Sequence, residues 1–279
     1  MNLPCFKRCR AVAIDLDGTL LTSKSQLSSR SCVVLDACIK NKLPVIIATS
    51  RAERSVRQLL GNELADRLSL VMENGGMIKG APPLSGFRKE IIPQEIVEQV
   101  ISRILSLEPS VRMGIEIDGF DFGCNLPLDR ETLWMLNRAT PEMLFSLEAA
   151  SRREATKLWV NGLGKNLSSL TKVLNQEFGD SISIFPNANF NFLDMPSNRT
   201  SKAIGVQYLL NSQRISLTDV VAIGDDNPDL PLLEVCGIPI AMANASPEIL
   251  ACTLFRTASN DEDGVAIVLE QVLTNYTNC

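Results

Sequence analysis

The stretch that most limits the fold of this chain is residues 11–20, Ala-Val-Ala-Ile-Asp-Leu-Asp-Gly-Thr-Leu. Its first four residues are apolar, which is typical of a short strand buried on both faces of a parallel sheet. Asp15 and Asp17 follow where that strand should end, and Gly18 gives the backbone the freedom that a sharp turn requires. Ligands bind at the carboxyl ends of the strands in such sheets, so two acids at this point indicate a site.

The aspartate pair allows more than one interpretation. It can hold a divalent cation through oxygen ligands, or one carboxylate can attack while its neighbour moves a proton. It can also be an Asx-type turn that closes an ordinary strand. The 279 residues include no histidine, which removes histidine-based nucleophile pairs and histidine-ligated zinc. Chemistry at this site therefore has to use carboxylates, hydroxyls, amines and a hard metal ion.

The rest of the chain predicts the fold class. Buried strands are predicted at 43–48, 68–73 and 220–223. Segments with helical periodicity and short links lie on both sides of the strand at 43–48, between it and the strands before and after it in the chain. This alternation of strand and helix is typical of a doubly wound parallel α/β sheet, a Rossmann-like fold.

Residues 82–194 interrupt the parallel pattern. Asp118-Gly119 is a hairpin signal between predicted strands at 111–118 and 120–124. Two further strands are predicted at 182–185 and 190–193. We therefore predict a core domain formed by residues 1–81 and 195–279, with residues 82–194 inserted as a separate α+β domain.

Charge and composition limit the partners and the location of the chain. A net charge of −5 argues against nucleic acid or an anionic membrane as the main partner. No apolar run approaches the roughly 18 residues of a membrane-spanning helix, and the first ten residues lack the apolar region of a secretory signal. We expect a cytoplasmic protein whose eight cysteines are thiols rather than a disulfide framework.

Polar side chains follow three of the predicted parallel strands, and a doubly wound sheet brings these strand ends to one crevice. They are Asp15 and Asp17, Thr49 and Ser50, and Asp225 and Asp229, with Lys202 at the start of the helix before the third strand. Phosphoryl transfer needs a nucleophile in line with phosphorus, a metal ion, and hydroxyl or cationic groups on the other oxygens. Mg²⁺ prefers oxygen ligands and retains water, so few protein ligands are sufficient. These residues fit such a site.

The sequence resembles the haloacid dehalogenase-like hydrolase superfamily in four motifs. They are Asp15-Leu16-Asp17-Gly18-Thr19-Leu20, Thr49, Lys202 and Gly224-Asp225-x-x-x-Asp229. The stretches 240–245 and 260–266, together with the long insertion, resemble the Cof-type capped phosphatase branch. Thr-Ser at 49–50 and Glu-Asn-Gly-Gly at 73–76 are similar to mannosylphosphoglycerate phosphatases, and there is some similarity to sucrose phosphatases.

This resemblance implies a role for each motif residue. Asp15 would be the nucleophile that forms an aspartyl-phosphate, and Asp17 would be the acid and base. Thr49 and Lys202 would hold the transferring phosphoryl group, and the insertion would be a cap over the substrate. The implied Mg²⁺ ligands are Asp15, Asp17 through its carbonyl, Asp225 and Asp229. The candidate phosphate-binding residues are Gly18, Thr49, Ser50, Lys202 and Asn227.

Simpler interpretations of several residues stay open at this stage. Thr49 or Ser50 can cap the following helix, and Lys202 can be a solvated lysine in the first turn of its helix. Asn74, in Asn74-Gly75-Gly76, is interpreted as a turn residue. Two residues depart from the family pattern: Ser50 stands where glycine is usual, and Pro228 stands where asparagine is common.

The sequence as a whole predicts a Mg²⁺-dependent phosphatase of small phosphorylated metabolites, with sugar phosphates as the expected substrates. One alternative is a phosphomutase of the same superfamily, which retains and returns the phosphoryl group. Another is a non-catalytic protein that binds sugar phosphates. The intact motif aspartates and Lys202 favour an enzyme, because binding alone does not need a nucleophile.

Overall fold

The structure is a computed structural model that describes residues 2–135, 137–187 and 191–276, with the backbone alone described at 134 and 135. Contacts between residues divide the chain into two compact units. One comprises Met1–Thr49, Leu59–Arg88 and Ser201–Cys279, and the other comprises Ser50–Gln58 and Lys89–Thr200. That residues 82–194 form a separate inserted domain stays a prediction.

The strands in the described part of the chain are short. In chain order they are β1 (Ala11–Ile14), β2 (Val45–Ala48), β3 (Ser69–Met72), β4 (Met77–Lys79), β5 (Phe87–Lys89), β6 (Arg112–Glu116), β7 (Phe122–Cys124), β8 (Leu144–Ser146), β9 (Lys157–Asn161), β10 (Phe185–Asn187), β11 (Phe192–Pro196), β12 (Val220–Gly224), β13 (Ile238–Ala241) and β14 (Phe255–Arg256).

The α-helices of the same part are α1 (Ser29–Lys40), α2 (Glu53–Leu60), α3 (Asn62–Arg67), α4 (Gln94–Leu107), α5 (Arg130–Met135), α6 (Leu147–Ser151), α7 (Ser168–Phe178), α8 (Lys202–Asn211), α9 (Leu230–Val235), α10 (Pro247–Cys252) and α11 (Gly264–Tyr276). None of these described helices combines the length and the apolar character needed to cross a bilayer.

The first unit is built on an eight-stranded sheet in the order β14-β13-β12-β1-β2-β3-β4-β5. The strands from β14 to β3 pair in parallel, and β4 returns antiparallel to β3. Helices α1 and α11 pack together, and α8 packs on β2 and β3. All residues of β1, β2, β3 and β12 are buried, as expected for strands covered on both faces. The predicted doubly wound α/β fold is confirmed.

The second unit contains a six-stranded sheet in the order β10-β11-β9-β6-β7-β8. Its pairs are antiparallel except β7 with β8, and the predicted hairpin is confirmed by the pairing of β6 with β7. Helices α4, α6 and α7 contribute to an apolar core on this sheet. Lys157, Trp159 and Phe192 lie at positions that alternate with the core residues of β9 and β11.

One predicted strand of this unit is wrong and one predicted boundary is untested. The expected strand at 182–185 is replaced by β10, and Ile182 forms only an isolated bridge with Ser197. A short alternating run indicates a strand but does not fix where edge pairing begins, because the partner strand decides that. The strand expected at 190–193 is found as β11, but residue 190 itself lies outside the described residues.

Close packing of α8 on the sheet depends on Gly205. A Cβ at this position would lie 2.4 Å from Cγ1 of Val71 on β3. Gly205→Ala adds about 1 kcal/mol of helix propensity, but overpacking a core costs about 1–3 kcal/mol, so we expect a net loss of stability in urea unfolding. In a Val71→Ala background the same substitution should be less destabilising. An equal effect of Gly205→Ala in both backgrounds would contradict this account of the packing.

Candidate active site

Asp15 directly follows β1 and is buried where the chain turns away from the sheet. Residues Leu16–Leu20 form a π-type turn in which Gly18 has φ of +73°. A Cβ at Gly18 would lie 2.3 Å from Oδ2 of Asp225, so only glycine fits between this turn and Asp225. The Thr19 hydroxyl donates a hydrogen bond to Oδ1 of Asp225 at 2.8 Å. The turn predicted at Gly18 therefore places the motif at residues 15–20 in contact with the motif at residues 224–229.

The carboxylate of Asp229 holds the loop that follows β12. Its Oδ2 accepts the backbone N–H groups of Asp225 at 3.0 Å and Asp226 at 3.3 Å. Asp226 in turn caps the short 3₁₀ turn Asn227–Asp229. Pro228 lies in the first residues of that turn, where its missing N–H is not required for a helical hydrogen bond. The proline that departs from the family pattern is thus compatible with the loop.

Lys202 joins the two acidic loops. Ser201 caps α8 by accepting the N–H of Ile204 at 3.1 Å, and this places Lys202 at the first position of the helix. The Lys202 ammonium donates to Oδ1 of Asp15 at 2.5 Å and to Oδ1 of Asp229 at 2.7 Å. Its side chain is only 3% exposed, so the interpretation of Lys202 as a solvated lysine is wrong.

Burial and mutual repulsion perturb the ionisation of this cluster. Burial, and then the charge of Asp229, raise the pKa of Asp15 well above its usual range, although Lys202 opposes this. Burial and Asp229 likewise raise the pKa of Asp225 to about 7. Burial disfavours the charged form of Lys202, but Asp15 and Asp229 outweigh it, and the net effect is a raised pKa of the ammonium.

The cluster fits a divalent cation. Asp15, Asp225 and Asp229 each place a carboxylate oxygen within 4.8 Å of the others. When all three acids are ionised, one ammonium leaves a surplus of negative charge, and a divalent ion would compensate it. Carboxylate oxygens are ligands for a hard cation such as Mg²⁺, Ca²⁺ or Mn²⁺. Lys202 and the backbone already occupy both oxygens of Asp229, so Asp15 and Asp225 are the better placed ligands.

Two asparagines near the carboxyl end of the chain support the turn Leu16–Leu20, a role that the sequence did not indicate. The Asn244 amide donates to the carbonyl of Gly18 at 2.8 Å, and its Oδ1 accepts the N–H of Asn260 at 3.0 Å. The Asn260 amide donates to the carbonyl of Leu21 at 2.8 Å. Both asparagines lie in the stretches that resemble the Cof-type branch, and this was the only sequence signal for them.

Other predicted residues lie around this cluster or apart from it. Asp17 is half-buried in the turn after Asp15, and Thr49 is fully buried at the end of β2, where its N–H donates to the carbonyl of Val71 at 2.8 Å. Because α2 begins at Glu53, neither Thr49 nor Ser50 directly precedes it as a cap.

Ser50 and Asn227 have other surroundings. By its contacts Ser50 belongs to the second unit, where its carbonyl accepts the Lys157 ammonium at 2.8 Å. That ammonium also pairs with Asp194 at 2.6 Å. Asn227 is exposed, and its backbone N–H donates to Asp226. Phosphate binding by Ser50 and Asn227 stays a prediction.

One acidic site at the edge of the parallel sheet thus combines Asp15, the buried Lys202 and the pair of Asp225 and Asp229. A family model for haloacid dehalogenase-like hydrolases matches residues 12–269, and the chain belongs to this family. The Bacillus subtilis protein YwtE, a 5-amino-6-(5-phospho-D-ribitylamino)uracil phosphatase, is 25% identical, and the alignment covers 95% of this chain and 98% of YwtE.

Solved structures agree in fold. A haloacid dehalogenase-like hydrolase from Bacteroides thetaiotaomicron superposes with a TM-score of 0.80 at 24% identity, covering 95% of this chain and 99% of the other. The sugar phosphatase BT4131, of subclass IIB, superposes with a TM-score of 0.76 at 21% identity, covering 94% of this chain and 98% of the other. The predicted family and the predicted enzyme class, a phosphatase, are confirmed.

Removing the Lys202 charge tests the electrostatics of the cluster. Lys202→Met leaves the Asp15 and Asp229 carboxylates buried without their cation, which should cost about 3–5 kcal/mol of unfolding free energy at pH 8. It also raises the pKa of Asp15 further, because the Lys202 charge is what opposes that rise in wild type. When the pKa of an acid is higher in the folded than in the unfolded protein, the folded state loses stability as the pH rises from the unfolded-state pKa, near 4, to the folded-state pKa. The deficit relative to wild type should therefore be smaller at pH 5 than at pH 8.

The measurement is chemical unfolding in the presence of a chelator at both pH values. Lys165→Met is the matched control, because Lys165 forms a half-exposed pair with Glu108 and should contribute less than about 1 kcal/mol. A deficit for Lys202→Met that does not change with pH would show that the ammonium does not set the ionisation of these acids.

Proposed function

We propose that this chain is a Mg²⁺-dependent phosphatase of small phosphorylated metabolites that acts through an aspartyl-phosphate on Asp15. The observation that carries the proposal is the contact of Lys202 with Asp15 and Asp229 beside Asp225, all at the carboxyl ends of the parallel strands. Sugar phosphates are the proposed substrates. Support for them comes from the name of the structural relative BT4131, and the name of YwtE places a phosphate on a ribitylamino group.

The nucleophile and the acid act in two half-reactions. An oxygen of Asp15 attacks phosphorus while the bond from phosphorus to the leaving alcohol breaks, and Asp17 gives that alcohol a proton. Asp17 then takes a proton from water, which attacks phosphorus and releases phosphate from Asp15. Asp17 is two residues further along the same turn and half-buried, so water can reach it.

Lys202 has two tasks in this scheme. It keeps one Asp15 oxygen in a fixed hydrogen bond, which orients the other oxygen for attack. It also compensates negative charge on the phosphoryl oxygens, together with the Thr49 hydroxyl that the resemblance assigns to them. Gly18 contributes space, because its missing side chain allows the turn to approach Asp225.

Asp15, Asp225 and the Asp17 carbonyl would hold Mg²⁺ in this proposal. The bound ion supplies positive charge that neutralises the phosphoryl oxygens during transfer. Asp229 remains a possible ligand from its distance, but its hydrogen bonds favour a role in positioning Lys202 and the loop after β12. The insertion at 82–194 stays the predicted cap and the predicted source of substrate specificity.

Asp15→Asn should abolish phosphate release from a panel of sugar phosphates, nucleotides and cofactor phosphates while the unfolding midpoint stays close to that of wild type. The amide cannot attack phosphorus, but it retains the shape of the carboxylate. Asp36→Asn is the matched control, because Asp36 pairs with Lys40 and Arg67 on the surface and should leave turnover unchanged. An excess of chelator should remove wild-type activity, and added Mg²⁺ should restore it.

Turnover of Asp15→Asn within tenfold of wild type would exclude the covalent mechanism, and full activity in excess chelator would exclude the metal. Assaying isomerised sugar phosphate beside free phosphate separates the phosphatase from a phosphomutase. Isomerisation without phosphate release would contradict the proposed function.

A further inference from the structure

The turn that follows β3 has an unusual backbone. Glu73 and Asn74 both have φ of +54°, and Gly75 follows with φ of +95°. Positive φ is uncommon outside glycine and stores strain, which persists only where the surrounding structure enforces it. Here the N–H of Asn74 donates to the carbonyl of Thr49 at 3.0 Å. A Cβ at Gly75 would lie 2.5 Å from the carbonyl oxygen of Ser201, so this turn is enclosed on two sides.

Asn74 is also buried without hydrogen bonds for its side chain. The residue is 1% exposed, and neither the amide nitrogen nor the amide oxygen has a partner in the described part of the chain. Leaving a buried amide unpaired opposes folding, and buried polar groups of native proteins are almost always paired. Strain and an unpaired amide therefore coincide at one residue. A turn residue alone accounts for the strain but not for the buried amide.

The location of Asn74 points to a function for its amide. Its backbone is bonded to Thr49, and the next residue abuts Ser201, which precedes Lys202. Thr49 and Lys202 are the two residues that the proposed function gives to the phosphoryl group. A neutral amide on this turn supplies N–H donors that suit a phosphoryl oxygen and adds no charge to a cluster with surplus negative charge.

We propose that the Asn74 side-chain amide binds an oxygen of the phosphoryl group held at Asp15, as a third phosphate-binding group beside Thr49 and Lys202. This inference rests on the proposed function. It assigns the amide N–H as donor and the phosphoryl oxygen as acceptor, and it makes Asn74 a binding residue rather than a turn residue.

Asn74→Gly tests the proposal, because glycine adopts positive φ freely and removes only the side chain. The unfolding midpoint of this variant should be at least as high as that of wild type, since both strain and an unpaired buried amide are removed. Calorimetric binding of inorganic phosphate in Mg²⁺ should nevertheless weaken roughly ten- to a hundredfold, the effect of one hydrogen bond to a charged group. Asn74→Asp, which tolerates the same backbone but replaces the donors with a carboxylate, should bind phosphate still more weakly.

Asn191→Gly is the matched control, since Asn191 also has a positive φ, of +49°, and lies in the second unit. Its phosphate affinity should equal that of wild type. Wild-type phosphate affinity in Asn74→Gly or in Asn74→Asp would overturn the proposal. An equal loss in Asn191→Gly would also overturn it.

The same experiment separates this inference from the proposed function. Phosphate binding is measured without turnover, so weakened binding in Asn74→Gly supports the amide contact even if wild type hydrolyses no phosphomonoester. That inactivity would contradict only the proposed function. An active wild type with unchanged phosphate binding in Asn74→Gly would contradict only the role of Asn74.

Discussion

The contact of one buried ammonium with two buried carboxylates is the interaction on which the site depends. Lys202 lies between Asp15 and Asp229, and these three residues come from three distant parts of the chain. The Lys202 ammonium would be destabilising in this environment without both carboxylates, because an uncompensated buried charge is costly. The arrangement still has more negative than positive charge once Asp225 is included. That surplus fits the binding of a divalent cation better than it fits a closed structural ion pair.

The backbone around the cluster explains why the charges can lie so close together. Strands β1 and β12 are parallel neighbours, so their carboxyl ends place Asp15 and Asp225 side by side. Gly18 allows the turn after Asp15 to touch Asp225, and Gly205 allows α8, which carries Lys202, to lie against β3. Both glycines thus allow a close approach between segments that carry or support the cluster. The asparagines of the carboxyl-terminal stretches hold the turn by its carbonyl groups.

The sequence predicted the parallel core because β1, β2, β3 and β12 are short apolar runs that end in polar residues, a pattern that local composition alone can report. It did not predict β4, whose pairing with β3 depends on a partner strand rather than on its own residues. The motif aspartates and Lys202 were predicted by spacing and resemblance. The burial of Lys202, the turn-holding role of Asn244 and the unpaired amide of Asn74 were not, because each depends on contacts between residues that are far apart in the chain. Asn74 in particular has the sequence context of an ordinary turn.

The most direct test of the central claim is to locate the phosphoryl group on the protein. The proposed function makes Asp17 the base that activates water, so Asp17→Asn should accumulate the phosphorylated enzyme in Mg²⁺. The substrate for this test is p-nitrophenyl phosphate, whose leaving group departs without a proton. Acid quenching, reduction with borohydride and peptide mapping by mass spectrometry then identify the modified residue, since borohydride converts an aspartyl-phosphate to homoserine. The account predicts homoserine at position 15. Modification at Thr49 or Ser50 instead, or an unmodified Asp15 in a variant that still releases p-nitrophenol, would contradict it.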